Sequence, residues 1–297
     1  MNITVMKTFC DLVDTGSFSR AAESNFVSQS AVSQQLAKLE RDLSVQLISR
    51  GGGIVEPSEA GKALYTGCKE IIRRYEKLLG EVRSASDAVR GVLRVGTIYS
   101  VGFYLLDPFV RGFFKNHPEV NLHVTYTGWN HINAAIISGE MDLGVVSCPD
   151  NNRSLEILPL ADEQLVVAFS PNHELAGTKV IDPKQLSKYQ SVSFDANIPT
   201  RRHIDRLLKS HRVSMEVGME FDNIELLKRA IMVGDYVSIL PKPNIQQEIE
   251  RGDLLYAEFT EPAKWKRPVG IVRRKGRQPS PAEQMFLDML NHCKLQP

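Results

Sequence analysis

The fold is decided by residues 17–43, SFSRAAESNFVSQSAVSQQLAKLERDL, in which two helical patterns follow each other across a very short turn. Ser17 precedes a short run that contains Ala21 and Ala22, and Ser28 precedes a longer run. Serine is favoured at helix N-termini because its hydroxyl accepts hydrogen bonds from backbone N–H groups. Small alanines let two helices cross closely, as they do in a helix-turn-helix. The stretch therefore predicts two helices separated by a tight turn.

The longer helix, which begins after Ser28, separates apolar from polar side chains. Its apolar residues recur at helical spacing from Val32 to Leu43, so one face is predicted to pack inside the protein. Glutamine can pair with two atoms of adenine, and serine can contact base edges or phosphates. A solvated helix face would have the same spacing, so DNA reading and simple solvation both stay open. The polar face carries Gln29, Ser30, Ser33, Gln34 and Lys38.

Further elements flank these two helices. The apolar residues of an earlier helix fall at helical spacing up to Val13, and Gly16 stands where a left-handed residue ends a helix. Residues 45–50 and 54–57 predict two short strands joined by the glycine triplet 51–53, in the form of a wing. A phosphate-binding loop is excluded, because no Lys-Ser or Lys-Thr pair follows at the required spacing and no helix begins directly after the glycines.

Residues 58–90 predict one long helix with a continuous apolar stripe. At ~1.5 Å per residue such a helix is on the order of 45–50 Å long, which is too long for the preceding helices to cover. The stripe follows the heptad pattern that pairs helices in coiled coils. We expect it to pair with the same helix of a second copy, with packing inside one chain as the alternative. Its members are Leu64, Cys68, Ile71, Tyr75, Leu78, Val82, Ala85 and Val89.

From Gly91 onward, β-rich runs alternate with helical patterns in two series. The first series has strands near 92–97, 121–127 and 142–146 with helices between them, and the second begins at 164–169. Alternation of this kind predicts two α/β lobes.

The first lobe lacks a closing element, which the run 268–272 and a helix from about 281 to 293 can supply. The chain therefore crosses to the second lobe near residue 161 and returns near residue 267. Two lobes with parallel-type sheets leave a cleft between them, and ligands of open α/β sheets bind at the carboxyl ends of strands. We expect a small-molecule site in this cleft.

Composition limits the classes of protein to consider. The chain has 297 residues, of which 42% are hydrophobic and 24% are charged, and this excludes a disordered tail protein. No stretch approaches the ~18–20 apolar residues that a membrane span needs, so we expect a cytoplasmic protein without a membrane partner. Residues 1–90 carry 12 basic and 11 acidic side chains. We therefore expect DNA affinity to come from assembly and a few placed contacts rather than from a broad basic patch.

Catalysis and metal binding find little support in the sequence. Ser100 lies in the run 98–102, which lacks the first glycine of a nucleophile elbow. Seven histidines have no metal-ligand spacing, and the four cysteines form no Cys-x-x-Cys pair. We expect no catalytic residue, metal or cofactor, and hence no enzyme. Two alternatives stay open: an α/β ligand-binding or enzymatic protein whose first helices serve assembly, and an architectural DNA protein without ligand control.

These elements carry the motifs of a known family. Residues 9–22 have the form FxxLVDxGSFSRAA, and residues 28–40 have the form SQSAVSQQLxxLE. Weaker matches are GEMDLGV at 139–145 and GDYVSILP at 234–241. On these residues the whole chain resembles the LysR-type transcriptional regulators. Ile48, Ser58 and Ser30 depart from the family pattern without changing the expected fold, whereas Asp235 and Tyr236 replace a typically smaller, glycine-rich pair.

The resemblance implies an α+β multi-domain chain with three parts. A winged helix-turn-helix DNA-binding domain is expected at residues 1–60, and a linker or dimerisation helix at 58–90. The effector-binding domain, 91–297, is expected to have a two-lobed α/β fold like that of periplasmic binding proteins. Within it, lobe I comprises about 91–160 with 268–297, and lobe II about 161–267.

The resemblance further implies a sequence-specific DNA-binding transcriptional regulator that is controlled by a small, anionic metabolite in the interlobe cleft. Members of the family assemble as homodimers and homotetramers on interrupted palindromic sites. The expected partners are therefore a double-stranded DNA operator, further copies of the chain, and a carboxylate or other oxyanion effector. RNA polymerase is a further candidate partner.

Individual site residues follow from the family pattern. Hydroxyls at strand ends and helix N-termini suit an oxyanion, and the expected effector contacts are Ser100, Thr127, Cys148 and Thr200. Cations in the first turn of a helix oppose its dipole, so Arg201 or Arg202 either binds an anionic partner or is simply solvated; Arg202 is included in the predicted site. The expected DNA contacts are Arg20, Gln29, Ser30, Ser33, Gln34, Arg50 and Gly52.

Overall fold

Three short helices, a hairpin and a long helix make up the first of two units in the chain. The computed structural model describes residues 1–51, 54–84 and 91–292, and its contacts divide the chain near residue 91. Among these residues, no helix is both long enough and apolar enough to cross a membrane. The elements of the first unit are α1 (Ile3–Thr15), α2 (Phe18–Ser24), α3 (Gln29–Leu43), β1 (Ile48–Gly51), β2 (Ile54–Pro57) and α4 (Glu59–Ser84).

Local signals set the ends of the first three helices. Ser17 accepts a hydrogen bond from the backbone N–H of Arg20 at the start of α2, and Ser28 accepts one from Ala31 at the start of α3. Gly16 takes a left-handed conformation, with φ 59°, directly after α1. The prediction of two helices separated by a tight turn is therefore confirmed at the capping residues on which it rested.

Small residues bring the helices of the first unit together. Ala21 and Ala22 of α2 are 0% and 4% exposed, and Leu12 of α1 is fully buried beside them in one apolar core. Glu40 fixes the hairpin to this core, because its Oε1 accepts the backbone N–H groups of Leu47 at 2.8 Å and of Ile48 at 3.3 Å.

The apolar stripe of α4 divides into two parts. Cys68 is 1% exposed and packs into the core of the first unit. Further along the helix, Ile71 and Leu78 are 48% and 49% exposed, and Tyr75 between them is 40% exposed. One chain therefore covers the first part of the stripe and leaves the later part open to solvent. The end of the predicted helix, residues 85–90, lies outside the described residues.

The second unit folds into two lobes. In lobe I, strands alternate with helices, and a π-helical turn at Gly102–Leu106 joins the first two helices. The elements of this first passage are β3 (Gly91–Thr97), α5 (Tyr99–Val101), α6 (Asp107–Asn116), β4 (Val120–Tyr126), α7 (Trp129–Ser138) and β5 (Leu143–Ser147).

One long strand, β6 (Leu155–Phe169), then carries the chain into lobe II, and another, β12 (Lys266–Arg274), carries it back. The last helix, α11 (Pro281–His292), completes lobe I by packing Phe286 edge-on against Phe113 of α6, with ring centroids 5.2 Å apart. The elements of lobe II are β7 (Val180–Ile181), β8 (Gln190–Phe194), α8 (Pro199–Ser210), β9 (Glu216–Phe221), α9 (Ile224–Val233), β10 (Ser238–Pro241), α10 (Gln246–Arg251) and β11 (Leu255–Phe259).

We call β6 and β12 the hinge strands, because they are the two connections between the lobes. They pair antiparallel along their length, from Leu155 opposite Arg274 to Gln164 opposite Lys266. β12 also pairs with β5 of lobe I, and β6 also pairs with β10 and β11 of lobe II. The predicted crossing points near residues 161 and 267 lie within these strands.

The expectation of two parallel-type sheets is wrong in one respect. β3 and β5 are parallel, but β12 is antiparallel to both β5 and β6. A single path of hydrogen-bonded strands, β4-β3-β5-β12-β6-β11-β7, therefore runs through both lobes. The reason is that the two hinge strands belong to both lobes and join their strands into this one sheet, whereas β8 and β9 of lobe II pair parallel in a separate sheet.

Two glycines of α4 provide a matched test of packing in the first unit. A Cβ atom at Gly61 would lie 2.0 Å from the backbone oxygen of Leu47, whereas one at Gly67 would meet nothing within 4 Å. We expect Gly61→Ala to lower the free energy of unfolding by about 1–3 kcal/mol, because backbone has to move. Gly67→Ala should raise it by about 0.5–1 kcal/mol through helix propensity. Denaturant unfolding of both variants measures the difference, and equal effects would contradict the packing described.

Candidate functional site

The polar face of α3 is exposed, while its apolar face forms core. Val32 and Leu39 are 1% and 3% exposed. Ser28 caps the helix, and its hydroxyl lies 2.9 Å from that of Ser30, so both hydroxyls lie at the helix N-terminus. The predicted DNA-contacting residues with described side chains are all exposed, and these are Arg20, Gln29, Ser30, Ser33 and Gln34.

Two predicted DNA contacts belong to the wing. Arg50 lies in β1, but its side chain is outside the described part of the chain, as is the whole of Gly52. The wing itself is an antiparallel pair in which Ile48 lies opposite Pro57 and Gly51 lies opposite Ile54. The two paired strands that were predicted on either side of the glycine triplet are therefore present.

Three of the predicted effector contacts come together where the lobes meet. Ser100, Cys148 and Thr200 are 7%, 7% and 2% exposed. The Thr200 hydroxyl, at the start of α8 in lobe II, lies 2.9 Å from the Ser147 hydroxyl at the end of β5 in lobe I. Cys148 follows Ser147 directly at this end of β5. The carboxyl end of β5 and the N-terminus of α8 therefore form one polar junction.

An ion pair that the sequence analysis did not predict lies at the centre of this junction. Arg267 of β12 is 0% exposed and Glu163 of β6 is 4% exposed. The Arg267 Nε and Nη2 groups donate to Glu163 Oε2 at 2.7 and 2.5 Å, and Nη1 donates to the Ser100 hydroxyl at 3.1 Å. The two hinge strands thus place opposite charges against a serine of lobe I.

Lobe II supplies a second set of contacts to lobe I. Asn244 is fully buried, and its amide donates to the backbone oxygen of Ser100 at 2.7 Å. Lys228 of α9 donates to Glu248 at 2.8 Å and to the Tyr104 hydroxyl of lobe I at 2.6 Å. Tyr104 in turn hydrogen bonds to Glu225. These contacts join the lobes at further points besides the Ser147–Thr200 pair of hydroxyls.

Burial and hydrogen bonds set the protonation states of Cys148, Tyr104 and Lys228 at this junction. Burial raises the pKa of the Cys148 thiol to about 11, although the positive charge of Arg267 opposes the shift. Burial likewise raises the pKa of Tyr104 to about 12, with its hydrogen bond to Glu225 adding to the effect. Burial disfavours the charge of Lys228, but hydrogen bonds to Glu248 and Tyr104 outweigh it and hold the Lys228 pKa above its ordinary value. At neutral pH the thiol and phenol are therefore neutral and the lysine is charged.

Cys148 has an unusual backbone, with φ 46° in the left-handed region that favours glycine. Its N–H donates to the backbone oxygen of Pro268 on β12 at 2.7 Å, and this bond holds the turn after β5 against the hinge. Such a conformation costs on the order of 1–3 kcal/mol and persists only where its surroundings fix it. The turn therefore fixes the Cys148 side chain beside Thr200.

Two predicted effector contacts lie outside the junction. Arg202 donates to Asp150 at 3.0 Å, and its guanidinium lies 5.2 Å from the centre of the Trp129 ring of lobe I. Thr127 is half-buried, and its backbone N–H donates to the oxygen of Thr97 at 3.0 Å. Neither side chain has a described hydrogen bond to Ser100, Cys148 or Thr200.

The neighbouring Arg201 has a structural explanation. Its guanidinium contacts Asp205 and Glu220 and donates to the backbone oxygen of Phe194 at 2.7 Å, so it ties α8 to β8 and β9. Among the described residues, no group of three or more His, Cys, Asp or Glu side chains is placed to hold a metal ion.

Sequence reasoning missed the ion pair and the asparagine beside it. Glu163 lies in the polar run before the apolar part of β6, and Arg267 lies just before the apolar part of β12. Both positions are within two residues of the predicted crossing points. Opposite charges at the two crossing points could therefore have predicted the ion pair, because the two strands that connect the lobes have to lie side by side. No comparable signal marks Asn244.

Comparisons with known proteins agree with this architecture. Residues 3–62 match the family described as "Bacterial regulatory helix-turn-helix protein, lysR family", and residues 86–294 match the "LysR substrate binding domain". One relative is the HTH-type transcriptional regulator CysL of Bacillus subtilis (strain 168), 26% identical over 260 residues that cover 88% of this chain and 85% of that protein.

Solved structures share the fold over the whole chain or over its second unit. Full-length CbnR complexed with its target DNA aligns with a TM-score of 0.72 at 21% identity, covering 98% of this chain and 99% of that one. The effector binding domain of QuiR in complex with shikimate aligns with a TM-score of 0.63 at 24% identity, covering 70% of this chain and 99% of that one.

The two family matches together span most of the chain, which therefore belongs to the LysR family of transcriptional regulators. It is a DNA-binding regulator with a winged helix-turn-helix domain and an effector-binding domain, and its relatives are regulators rather than enzymes. The recognition of the family and of the fold class from the sequence is confirmed.

Proposed function

We propose that this protein regulates transcription from specific DNA sites under the control of a small metabolite with an anionic group, bound between the lobes of its second unit. The observation that carries the proposal is the convergence of buried polar groups from both lobes on Ser100. Its hydroxyl accepts from Arg267 of a hinge strand, and its backbone oxygen accepts from Asn244 of lobe II. We propose a cytoplasmic location, because a regulator of transcription has to reach the DNA.

Binding at this junction couples to lobe closure. The Ser147–Thr200 and Lys228–Tyr104 contacts exist only while the lobes are together. A ligand that adds contacts to one arrangement of the lobes, and not to another, shifts the equilibrium by that difference in free energy. We infer that effector binding changes lobe closure, and through the assembly changes which DNA half-sites are occupied together.

The DNA is contacted by α3. Its N-terminal residues are exposed, and the neighbour CbnR was solved in complex with its target DNA. Helix-turn-helix proteins place the second helix in the major groove, and dimers bind half-sites related by two-fold symmetry. We propose that Gln29, Ser30, Ser33 and Gln34 read base edges, that Arg20, Arg50 and Gly52 contact the backbone, and that the operator is an interrupted palindrome.

Assembly follows from α4. Ile71, Tyr75 and Leu78 lie at heptad spacing and are between 40% and 49% exposed in one chain. Apolar side chains in this pattern bury against a second helix of the same kind. We propose a homodimer built on α4, with a homotetramer as the DNA-bound form and RNA polymerase as the further partner at promoters.

The proposed reading of DNA is tested by Gln34→Ala. The operator probe is a duplex that the wild-type chain selects from a random library. We expect affinity for this duplex to fall roughly tenfold or more, because an adenine contact is lost, while thermal unfolding is unchanged because the side chain is exposed. Thr66→Ala, an exposed polar residue of α4, is the control. Equal affinity of the two variants would remove Gln34 from the reading face.

The proposed dimer is tested by replacing Ile71 and Leu78 together with lysine. Two charges in an apolar seam cannot be buried without partners, so we expect light scattering after gel filtration to report a monomer. Thr66→Lys on the same helix adds a charge at an exposed polar position and should leave the assembly intact. A double variant that keeps the wild-type mass would show that α4 does not hold the copies together.

The proposed effector site is tested by Ser100→Ala and Thr200→Ala. In a thermal-shift screen of small carboxylates, phosphates and sulfur compounds, a bound effector raises Tm by mass action. We expect each variant to weaken binding of that compound roughly tenfold, because one hydrogen bond is lost. Thr125→Ala, an exposed threonine of β4 in lobe I, should bind normally. Normal binding by both cleft variants would place the effector elsewhere.

A further inference from the structure

The charges buried at the lobe junction cancel, and this limits which effector fits. Arg267 and Glu163 are 0% and 4% exposed, and they form one ion pair. Lys228 and Glu248, which are 2% and 7% exposed, form a second ion pair, and Asn244, Ser100 and Thr200 are uncharged. A ligand that brought only a negative charge would leave the site with an uncompensated buried charge, which is costly.

The pair is satisfied on one side only. Both Arg267 groups that reach Glu163 donate to Oε2, at 2.7 and 2.5 Å. Among the residues that the structure describes, none gives a hydrogen-bond partner to the other carboxylate oxygen, Oε1, which is buried. A buried acceptor without a donor carries a free-energy penalty, and one in a functional cleft points to a donor that is absent. The group that fits against Oε1 is an N–H or O–H donor, and a positively charged N–H group fits best.

A place for a negative group lies across the junction. Helix α8 has 12 residues, and its N-cap is Ile198, which provides no side-chain cap. The first N–H groups of a helix attract a carboxylate. Thr200 in the first turn is 2% exposed and adds a hydroxyl, and Ser100 adds another from lobe I. The end of β5 links the two places, because the Ser147 hydroxyl lies 2.9 Å from that of Thr200 and the Cys148 N–H donates to Pro268, next to Arg267, at 2.7 Å.

We propose that the effector is a zwitterionic α-amino acid. Its carboxylate binds at the N-terminus of α8, to Thr200 and Ser100 and beside Arg267, and its ammonium group donates to Glu163 Oε1. The ligand then adds no net charge to the buried site and supplies the donor that Oε1 lacks. This inference rests on the proposed function, because it specifies the class of effector for the same cleft.

This mode of binding also reaches the hinge. Glu163 lies on β6 and Arg267 on β12, and their partners Ser100 and Asn244 lie in different lobes. An ammonium group on Oε1 draws the Glu163 carboxylate toward the ligand and changes its pairing with Arg267. A carboxylate alone would lie beside Arg267 without engaging Glu163 Oε1, so the ammonium group is the part of the ligand that acts on Glu163.

The test is a thermal-shift screen of the full-length chain with three sets of probes. The first set contains the standard L-α-amino acids, the second their analogues without the amino group, and the third their analogues without the carboxyl group. We expect at least one amino acid to raise Tm, and its two analogues to give no comparable shift. Equal shifts from an amino acid and its deaminated analogue would overturn the inference while leaving the proposed anion site intact.

A variant separates the ammonium contact from the rest of the site. Glu163→Gln keeps the shape of the side chain and removes its charge, and we expect it to weaken binding of the active amino acid roughly tenfold to a hundredfold. It should also reduce the preference for that amino acid over its deaminated analogue. Unchanged affinity and preference would overturn the inference. This variant leaves the positive charge of buried Arg267 without a negative partner, so its folding is checked by thermal unfolding. If the variant does not fold, the comparison of analogues on the wild-type chain tests the inference.

Failure of the proposed function gives a different result. If the active amino acid binds equally well to Ser100→Ala and Thr200→Ala, the interlobe cleft is not the effector site and both proposals fall. If only hydroxy acids or inorganic oxyanions bind, and binding is lost in those two variants, the cleft is the effector site and the amino acid class is wrong.

Discussion

The ion pair between Arg267 and Glu163 is the constraint on which the second unit depends. Taking two charges out of water is costly, and the cost is offset only when geometry and further hydrogen bonds satisfy both groups. Ser100 of lobe I and Asn244 of lobe II provide contacts to the guanidinium, at 3.1 and 3.5 Å. Both hinge strands must therefore stay in register for either lobe to present its cleft residues, and separation of the lobes removes partners from a buried charge.

Polar contacts make many of the connections between the lobes. Lobe II has two apolar clusters, which contain Val167 and Leu227 respectively, and Tyr104 of lobe I packs against the second. Across the junction, by contrast, hydroxyls, an amide and the Lys228–Tyr104 contact make the connections. Polar contacts can be exchanged for contacts with a ligand at little net change in free energy. A small molecule can therefore act on the arrangement of the lobes without disturbing the core of either lobe.

Local signals predicted much of this architecture from sequence. Ser17 and Ser28 predicted two helix starts because capping depends on residues a few positions away. The strand-end rule predicted a ligand site in the interlobe cleft, whereas the choice of Ser100, Cys148 and Thr200 came from the family resemblance.

The remainder depends on contacts between distant parts of the chain. Arg267 and Glu163 are 104 residues apart, and no periodicity relates their positions. Arg202 was predicted from its place in the first turn of α8, but Asp150 and Trp129 hold it at the junction's edge. Which partners lie near a residue is decided by tertiary structure rather than by local sequence pattern.

The exposed face of α3, by contrast, follows from the local sequence pattern and could be predicted from it. General attraction to phosphate adds little to the affinity of this part for DNA, because residues 1–90 carry 12 basic and 11 acidic side chains. In the dimer that we propose on α4, the second contact with DNA is an intramolecular step, which multiplies affinity without further charge. That proposal makes the exposed part of the α4 stripe as important to DNA binding as α3.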